Sequence, residues 1–476
     1  MRVEGRDPES SGLIARLGVW DGVSIIIGIV VGVTIFKAPP LIFSNVSGPL
    51  QGLAAWGLGG LLSLVGALCY AELASTYPRA GGDYVYLTRA YGRLTGFLFG
   101  WAQLSVILTG SIGAMAYVFS DYAVEFWNQG GESEMGAWYA AAAVAGLSLV
   151  NGLGVLLSKG IQNVLTLSKV VGLVAICAAG LWATEGGITP ALNATEGSGL
   201  GFGFAMIFVL YAYGGWNDAA FVAADVRDPQ RNISRVLLYG TGAIVIIYLL
   251  INVAFLSALG FEGLRASSAP AIDVLEPWFG QWGGRAMGVL VMASALGAIN
   301  GLIFTGSRIY ASAGEDHRLF ARLGRWNPRF GAPLWSLAIQ AIFGLSMILG
   351  VGTEVGRSSF DALMQGIGLS ALPWERFGGG FDVLVAGTAP VFWLFFLLTG
   401  VSLFVLRRKD PQIERPFSVP FYPWVPIIFC STSIYMLWSA LDYARALSMI
   451  GIVPLLLGLV LYGWSEREAR RSPEVE

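Results

Sequence analysis

Twelve apolar segments, each long enough to cross a bilayer as a helix, run through this chain with short polar connections between them. A helical span needs about 20 apolar residues. Charged residues make up 13% of the chain, against roughly 25% in soluble domains. We therefore predict an all-α membrane protein with twelve transmembrane helices. The predicted spans are 18–44, 52–77, 94–120, 137–157, 161–183, 199–223, 235–260, 284–312, 332–351, 381–406, 420–440 and 444–464.

The distribution of lysine and arginine predicts the orientation of these spans. Cytoplasmic connections of membrane proteins are enriched in both residues. With twelve spans, 22 of the 29 lysines and arginines lie on the side of the N-terminus, and 5 lie on the opposite side. We expect a multi-pass protein of the plasma membrane (the cell inner membrane) with both termini in the cytoplasm. The apolar spans predict the lipid bilayer as a partner, and the net charge of −2 gives no basic surface for nucleic acid.

Two of the spans are interrupted by glycines near their middles, at 28–36 in the first and at 211–216 in the sixth. Free backbone groups are tolerated at bilayer depth only where they are buried in protein or line a cavity. Five spans precede the sixth, so the two interrupted helices begin on opposite sides, as in an inverted repeat. The predicted divisions are a cytoplasmic segment 1–17, repeats 18–183 and 199–406, helices 11 and 12 at 420–464, and a cytoplasmic tail 465–476.

The first interruption offers opposite charges to a ligand. The outer half of the helix presents its N-terminus, where the amides of Gly32, Val33 and Thr34 favour an anion. The inner half presents free carbonyls near Val30, which suit an ammonium group. An alternative is that Gly28 and Gly32 form a GxxxG packing face.

The second interruption adds aromatic and polar side chains to adjacent glycines. Adjacent glycines cost roughly 1 kcal/mol each in a helix, so a simple glycine kink lined by core aromatics is the competing interpretation. Together the two interruptions match a zwitterion, and we predict an α-amino acid as the substrate. The candidate residues here are Tyr211, Ala212, Gly214, Gly215 and Asn217, with Trp216 and Asp218 as gate or polar contacts.

Two lysines lie within predicted spans. An intramembrane lysine is a functional hypothesis by default, and the Lys169 ammonium could stand where a sodium-driven carrier holds Na⁺. The alternative is a structural lysine bonded to carbonyls of the first helix. Lys37 either extends into an outer vestibule or contacts the substrate.

Several function classes are disfavoured. The chain has one histidine, His317, and three cysteines without metal-ligand spacing, so we predict no metal site and no cofactor. It lacks HExxH and GxSxG motifs and paired intramembrane carboxylates, so we predict that it is not an enzyme. No ring-forming filter motif favours a channel.

The loops of the chain resemble those of a known family. Residues 66–84, ending in Pro-Arg-Ala-Gly-Gly-Asp-Tyr, closely resemble helix 2 and the first cytoplasmic loop of L-type amino acid transporters, in the amino acid–polyamine–organocation superfamily. The matches run from about 18 to 440. The other matching segments are 211–217, 225–233, 307–310 and 415–420.

This resemblance implies a leucine-transporter-type fold, with a 5+5 inverted repeat and two added helices. It implies that Gly32, Val33 and Thr34 take the substrate carboxylate. Carbonyls near Val30, Tyr211 and Gly214 would then take the amine. Further implied roles are an aromatic gate at Tyr211, a polar contact at Asn217 and, through the match of Lys169 to the family's helix-5 lysine, independence of sodium.

The chain also departs from the family pattern. Gly32-Val33-Thr34 replaces Gly-Ser-Gly, and Lys37 and Asp218 are not part of the pattern. Eukaryotic relatives attach to a glycoprotein subunit through a cysteine after helix 3. The stretch 121–136 has no cysteine, so we expect no disulfide-linked subunit and a chain that works alone, as a monomer.

The leading hypothesis is a secondary active, sodium-independent amino acid transporter that works by exchange or proton coupling. Two alternatives stay open. One is a carrier of polyamines or cationic amines, for which Asp218 is the candidate acidic group. The other is a transport-inactive amino acid sensor.

Overall fold

The computed structural model describes residues 17–32, 34–128, 133–182, 201–366, 368, 370–374 and 379–471. Across these ranges the regular structure is helical. Two isolated bridges, Leu17 with Val226 and Asn327 with Ala332, form no sheet within the same ranges. The predicted all-α class is confirmed.

The helices of the first part of the chain follow the predicted spans closely. Apolar runs form the long helices, and glycine or proline marks most boundaries, such as Pro49 in the first turn of its helix. In order they are α1 (Val19–Val30), α2 (Thr34–Ser44), α3 (Pro49–Thr76), α4 (Asp83–Tyr91), α5 (Arg93–Ala102), a π-helix (Gln103–Ile107), α6 (Leu108–Asn128), α7 (Ser133–Gly152) and α8 (Val155–Trp182).

The second part begins with another short helix. A 3₁₀ segment follows it and replaces the second half of the predicted sixth span. In order the elements are α9 (Phe202–Ala212), the 3₁₀ segment (Trp216–Asp225), α10 (Pro229–Ala266), α11 (Pro270–Phe279), α12 (Gln281–Asp316), a 3₁₀ turn (Arg318–Phe320), α13 (Leu334–Gly352), α14 (Glu354–Gly366), α15 (Gly380–Lys409), α16 (Trp424–Ala444), a 3₁₀ turn (Arg445–Ser448) and α17 (Met449–Arg471).

Among the described residues, eight helices are long and apolar enough to cross a membrane. A ninth is added if α1 and α2, which are bent by 53° relative to each other, form one span. In this count α16 and α17 fall in a single helix, Trp424–Arg467. The twelve-span count therefore stays a prediction.

Helix α1 packs against α8, α10 and α12. The opposite face of α8 is apolar and exposed: Leu167, Val171 and Val174 are 63%, 60% and 62% exposed. Exposed apolar side chains at helical spacing are expected where a helix faces lipid. Thus one face of α8 is directed at the bilayer, and its other face packs against α1.

Candidate substrate site

The first interruption separates α1 from α2. The Val31 N–H donates to Ile27 O at 2.9 Å, and the Gly32 N–H donates to Val30 O at 2.7 Å. The Gly32 amide, predicted to be free for an anion, is thus already bonded to its own chain. Val33 lies outside the described residues. The first amides of α2, beginning at Thr34, have no acceptor within the helix because a helix leaves its first four N–H groups unpaired.

Side chains from two other helices bond the carbonyls that this interruption frees. Lys169 of α8 is 1% exposed, and its Nζ lies 2.5 Å from Gly28 O and 3.0 Å from Val31 O. Ser294 of α12 donates to the same Val31 O at 3.0 Å. The end of α1 is therefore held by an ammonium group and a hydroxyl from its neighbours.

The two glycines of the GxxxG pattern in the first helix have different surroundings. A Cβ at Gly28 would lie 1.9 Å from Gln162 Nε2 of α8, so this glycine permits close helix packing. A Cβ at Gly32 would meet nothing nearer than 3.8 Å. The packing interpretation therefore describes Gly28, whereas Gly32 faces open space.

The second interruption separates α9 from the 3₁₀ segment and is shaped by glycine. Gly215 has φ of +103°, in the left-handed region that side chains disfavour. A Cβ at Gly215 would also lie 2.8 Å from the Ile29 side chain of α1. The left-handed turn and the absent side chain together let the two interrupted helices approach each other.

Tyr248 of α10 joins the two interruptions. Its hydroxyl lies 2.8 Å from Val30 O, at the end of α1, and 3.1 Å from Ala212 O, at the end of α9. Its ring packs edge-on against Trp56, with centroids 5.5 Å apart. Sequence reasoning missed this residue because one tyrosine in a long apolar helix carries no distinguishing signal.

A cavity of about 150 Å³ lies between the two interruptions. Eight of the predicted site residues line it. They are Val30, Gly32, Thr34, Tyr211, Ala212, Gly214, Gly215 and Asp218.

Four other described candidates do not line this cavity. Lys169 is bonded to α1 as above, and Trp216 is buried with its ring 5.2 Å from that of Tyr70. Asn217 Nδ2 donates to Asp218 Oδ1 at 3.1 Å. Lys37 is exposed, with Nζ 5.5 Å from the ring centroid of Tyr122.

The remaining wall of the cavity comes from helices that sequence reasoning did not assign to the site. Gln103 is 4% exposed, lies in the π-helix, and its Oε1 accepts no hydrogen bond from the described residues. π-Helical turns are frequent at functional sites. A glutamine inside an apolar span is a detectable signal, since polar intramembrane residues are functional hypotheses. The other new lining residues include Ile107, Ser111, Met115, Thr388, Phe392 and Trp393.

The 3₁₀ segment carries two buried carboxyl groups in different surroundings. Asp225, 7% exposed, forms an ion pair with Arg308 Nε of α12 at 3.0 Å. Asp218, 8% exposed, lines the cavity and forms no ion pair with the described residues. The first carboxyl group is therefore neutralised by the protein, whereas the second faces the cavity without a cation.

Comparison with known proteins gives consistent matches over nearly the whole chain. The sequence model of the family described as amino acid permease matches residues 17–455. The human b(0,+)-type amino acid transporter 1 is 28% identical over 486 residues, covering 98% of this chain and 92% of its own length. The serine/threonine exchanger SteT of Bacillus subtilis (strain 168) is 28% identical over 469 residues, covering 97% and 99%.

The human cystine/glutamate transporter is 29% identical over 447 residues, covering 93% of this chain and 83% of its own length. Among solved structures, a nucleobase-cation-symport-1 family transporter in a closed conformation with bromovinylhydantoin bound has a TM-score of 0.56. That alignment covers 92% of this chain and 96% of the other, at 13% identity. This similarity supports a shared fold.

Proposed function

This chain belongs to the amino acid permease family, and we propose that it is a secondary active transporter that carries amino acids across the membrane by alternating access. The family is one of transporters and not of enzymes, as predicted. The observation that carries the proposal is the cavity bounded by both interruptions, because it brings a helix N-terminus and two helix C-termini to one small space. The relatives named above include an exchanger and other amino acid transporters.

The proposed substrate pose follows from the backbone polarity around the cavity. The amide and hydroxyl of Thr34, at the start of α2, and the amide of Val33, which is proposed from the sequence alone, hold the α-carboxylate near the positive helix end. Gly32 contributes mainly by leaving space, because its own N–H is bonded to Val30 O. Carbonyls of Val30, Tyr211 and Gly214 hold the α-amine, and Tyr211 closes over the substrate as an aromatic gate. Asn217, Trp216 and Lys37 do not line the cavity, and we propose that they serve as polar or gate contacts from outside it.

Sodium independence is the second part of the proposal. A sodium site at this position would need oxygen ligands from α1, and Val31 O already receives the Lys169 ammonium and the Ser294 hydroxyl. The ammonium therefore supplies the positive charge that the ion would supply in a sodium-driven carrier. This supports a cycle driven by exchange or by protons.

The proposed topology is twelve spans in the plasma membrane (the cell inner membrane), with both termini in the cytoplasm. The repeats 18–183 and 199–406 are of opposite orientation, and 420–464 supplies two further helices. This topology is supported by the fold similarity to the nucleobase-cation-symport-1 family transporter, by the bend of 53° between α1 and α2, and by the lysine and arginine distribution. The absence of cysteine at 121–136 supports a transporter without a disulfide-linked subunit.

Uptake by proteoliposomes tests this function. The full chain is reconstituted, and labelled amino acids are supplied with and without internal amino acid, and in sodium or choline buffer. Saturable uptake that is unchanged by sodium is expected. Two matched variants separate loss of binding from loss of fold. Thr34→Val removes a hydroxyl in the cavity, and Thr432→Val is the control on an exposed face of α16. Absence of uptake and of ligand-induced thermal stabilisation for every amino acid would refute the proposal, and a sodium requirement would refute the role of Lys169.

A second candidate is a carrier of cationic amines, favoured by the unpaired Asp218 in the cavity wall. An acidic group facing the substrate would attract a second ammonium. Competition by putrescine against neutral amino acids separates the two candidates, since a cationic-amine carrier would bind putrescine more tightly.

A further inference from the structure

Two buried carboxyl groups lie near each other between the cavity and the α3–α4 loop. Asp218 lines the cavity, and Asp83 is the first residue of α4 and is 3% exposed. The Gly81 N–H donates to Phe221 O of the 3₁₀ segment at 2.9 Å. A Cβ at Gly82 would lie 2.9 Å from the Ala220 carbonyl carbon. The loop that immediately precedes Asp83 is therefore in direct backbone contact with the segment that carries Asp218.

The described surroundings of the two carboxyl groups contain hydroxyls and no cation. Asp218 accepts a hydrogen bond from Asn217 and faces Asp83, with which it interacts unfavourably when both are charged, and Tyr310 of α12. Among the described residues of α1, α3 and α10, which pack on the same segment, none forms an ion pair with it.

Asp83 is surrounded in the same way. It faces Tyr70 of α3, Thr399 of α15 and Tyr86 of its own helix, and its Oδ1 accepts no hydrogen bond from the described residues. Arg308 of α12, which is bonded to the 3₁₀ segment, forms its ion pair with Asp225. Neither Asp83 nor Asp218 is therefore neutralised by a basic side chain of the described protein.

A buried carboxylate without a cation is costly, so such a group gains a proton instead of staying charged. Two carboxyl groups close together strengthen this tendency because both cannot ionise cheaply. Asp83 lies in a connection between predicted spans, and burial raises its pKa to about 7. A group that titrates near neutral pH is suited to accept and release protons.

We propose that Asp218 binds a proton from the cavity and passes it to Asp83, so that amino acid movement is coupled to proton movement. This rests on the proposed function and specifies its driving ion. The proton leaves the Asp218 carboxyl group, binds the Asp83 carboxylate and departs to cytoplasmic water, so that each carboxyl group returns to its starting charge.

The decisive experiment measures proton flux with the wild-type chain in proteoliposomes that contain a trapped pH dye. Addition of external amino acid is expected to acidify the lumen. With one proton per substrate, a gradient of one pH unit, acid outside, raises the steady-state accumulation about tenfold. Amino acid exchange that continues without acidification and without an effect of the gradient would overturn the coupling while leaving the proposed function intact.

The variants locate the coupling in the two carboxyl groups. In Asp218→Asn and Asp83→Asn, the ratio of accumulation with and without the gradient is expected to fall to about one. The control Asp442→Asn removes an exposed carboxyl group paired with Arg445 and should retain the wild-type ratio. An unchanged ratio in Asp83→Asn, which does not line the cavity, would overturn the pathway. Putrescine uptake that needs Asp218 but moves no protons would assign that carboxylate to a cationic ligand instead.

A stability measurement tests Asp83 without any transport. Its folded pKa of about 7 lies above the unfolded value of about 3.9, so between these values the folded state binds more protons than the unfolded state. The free energy of unfolding should be highest below the unfolded value and should fall as the pH rises towards 7. In Asp83→Asn this part of the slope should disappear. Parallel thermal-unfolding curves for the two proteins between about pH 5 and pH 8 would overturn the role of Asp83.

Discussion

The two interruptions that bound the cavity are stabilised in different ways. At the first, side chains from α8, α10 and α12 bond the freed carbonyls, chiefly through Lys169. At the second, the left-handed backbone of Gly215 and its approach to Ile29 set the geometry. The geometry of the first interruption thus depends on side chains from distant parts of the chain. The geometry of the second depends largely on the backbone of its own residues.

This difference has a mechanical consequence. Movement of α8 or α12 pulls directly on the end of α1, because Lys169 and Ser294 share the Val31 carbonyl. The second interruption receives a weaker connection, from the Tyr248 hydroxyl to Ala212 O at 3.1 Å, and its turn at Gly215 follows α1 through close packing. We therefore expect substitutions at the first interruption to weaken the coupling between helices, and substitutions at the second to distort local shape.

The largest effect is expected for Lys169→Met. The variant keeps an unbranched side chain one heavy atom shorter than lysine but leaves Gly28 O and Val31 O without the ammonium donor. Loss of these charge-assisted hydrogen bonds should lower the free energy of unfolding by about 3 kcal/mol, and uptake should be abolished. The matched control is Lys37→Met, whose exposed ammonium lies over Tyr122, with an expected change within about 0.5 kcal/mol. Equal melting temperatures for the two variants in detergent would contradict this account.

Next in size is Gly215→Ala, paired with Gly32→Ala. At Gly215 the added methyl group meets both an unfavourable φ and the Ile29 side chain, which should cost about 2–4 kcal/mol. At Gly32 the nearest atom would be 3.8 Å away, so stability should change by less than about 1 kcal/mol. Thermal unfolding of the purified variants measures both, and the reverse order would show that the second interruption is not set by its own backbone.

The smallest effect is expected for Tyr248→Phe, which touches both interruptions at once. Removal of the hydroxyl leaves Val30 O and Ala212 O without this donor and should lower stability by about 1–2 kcal/mol. Tyr213→Phe is the matched control, since among the described residues its hydroxyl bonds Trp56 O alone, at 3.1 Å, and its loss should cost about 0.5–1 kcal/mol. Amino acid affinity should fall in Tyr248→Phe. A larger loss of affinity in Tyr213→Phe would show that the bridge does not shape the site.

Much of the fold followed from the sequence because apolar length and glycine position are local properties. The end of α1 at Val30 and the end of α9 at Ala212 lie at the glycine-containing segments where the interruptions were predicted. The bonds of Lys169 to α1 carbonyls correspond to the alternative interpretation of that residue, a structural lysine bonded to the first helix. The resemblance to amino acid transporters is confirmed by the family match over residues 17–455.

What the sequence could not supply were contacts between distant segments. Spacing alone treats Gly28 and Gly32 alike, although one faces Gln162 and the other faces the cavity. The same limit hid the part of the cavity wall that α15 forms. Lys37 and Asp218 were equally plausible polar contacts, and only Asp218 lies at the cavity, because helix rotation decides which side chain faces inward.

The Tyr248 hydroxyl carries one hydrogen, yet two carbonyl oxygens lie within reach of it, at 2.8 Å and 3.1 Å. It cannot satisfy both fully, so α1 and α9 compete for the same donor. An ammonium group arriving at either oxygen ends that competition and releases the hydrogen to the other. Through this one hydroxyl, binding of an ammonium group at the end of α1 or α9 changes the hydrogen bonding at the end of the other helix without any backbone movement.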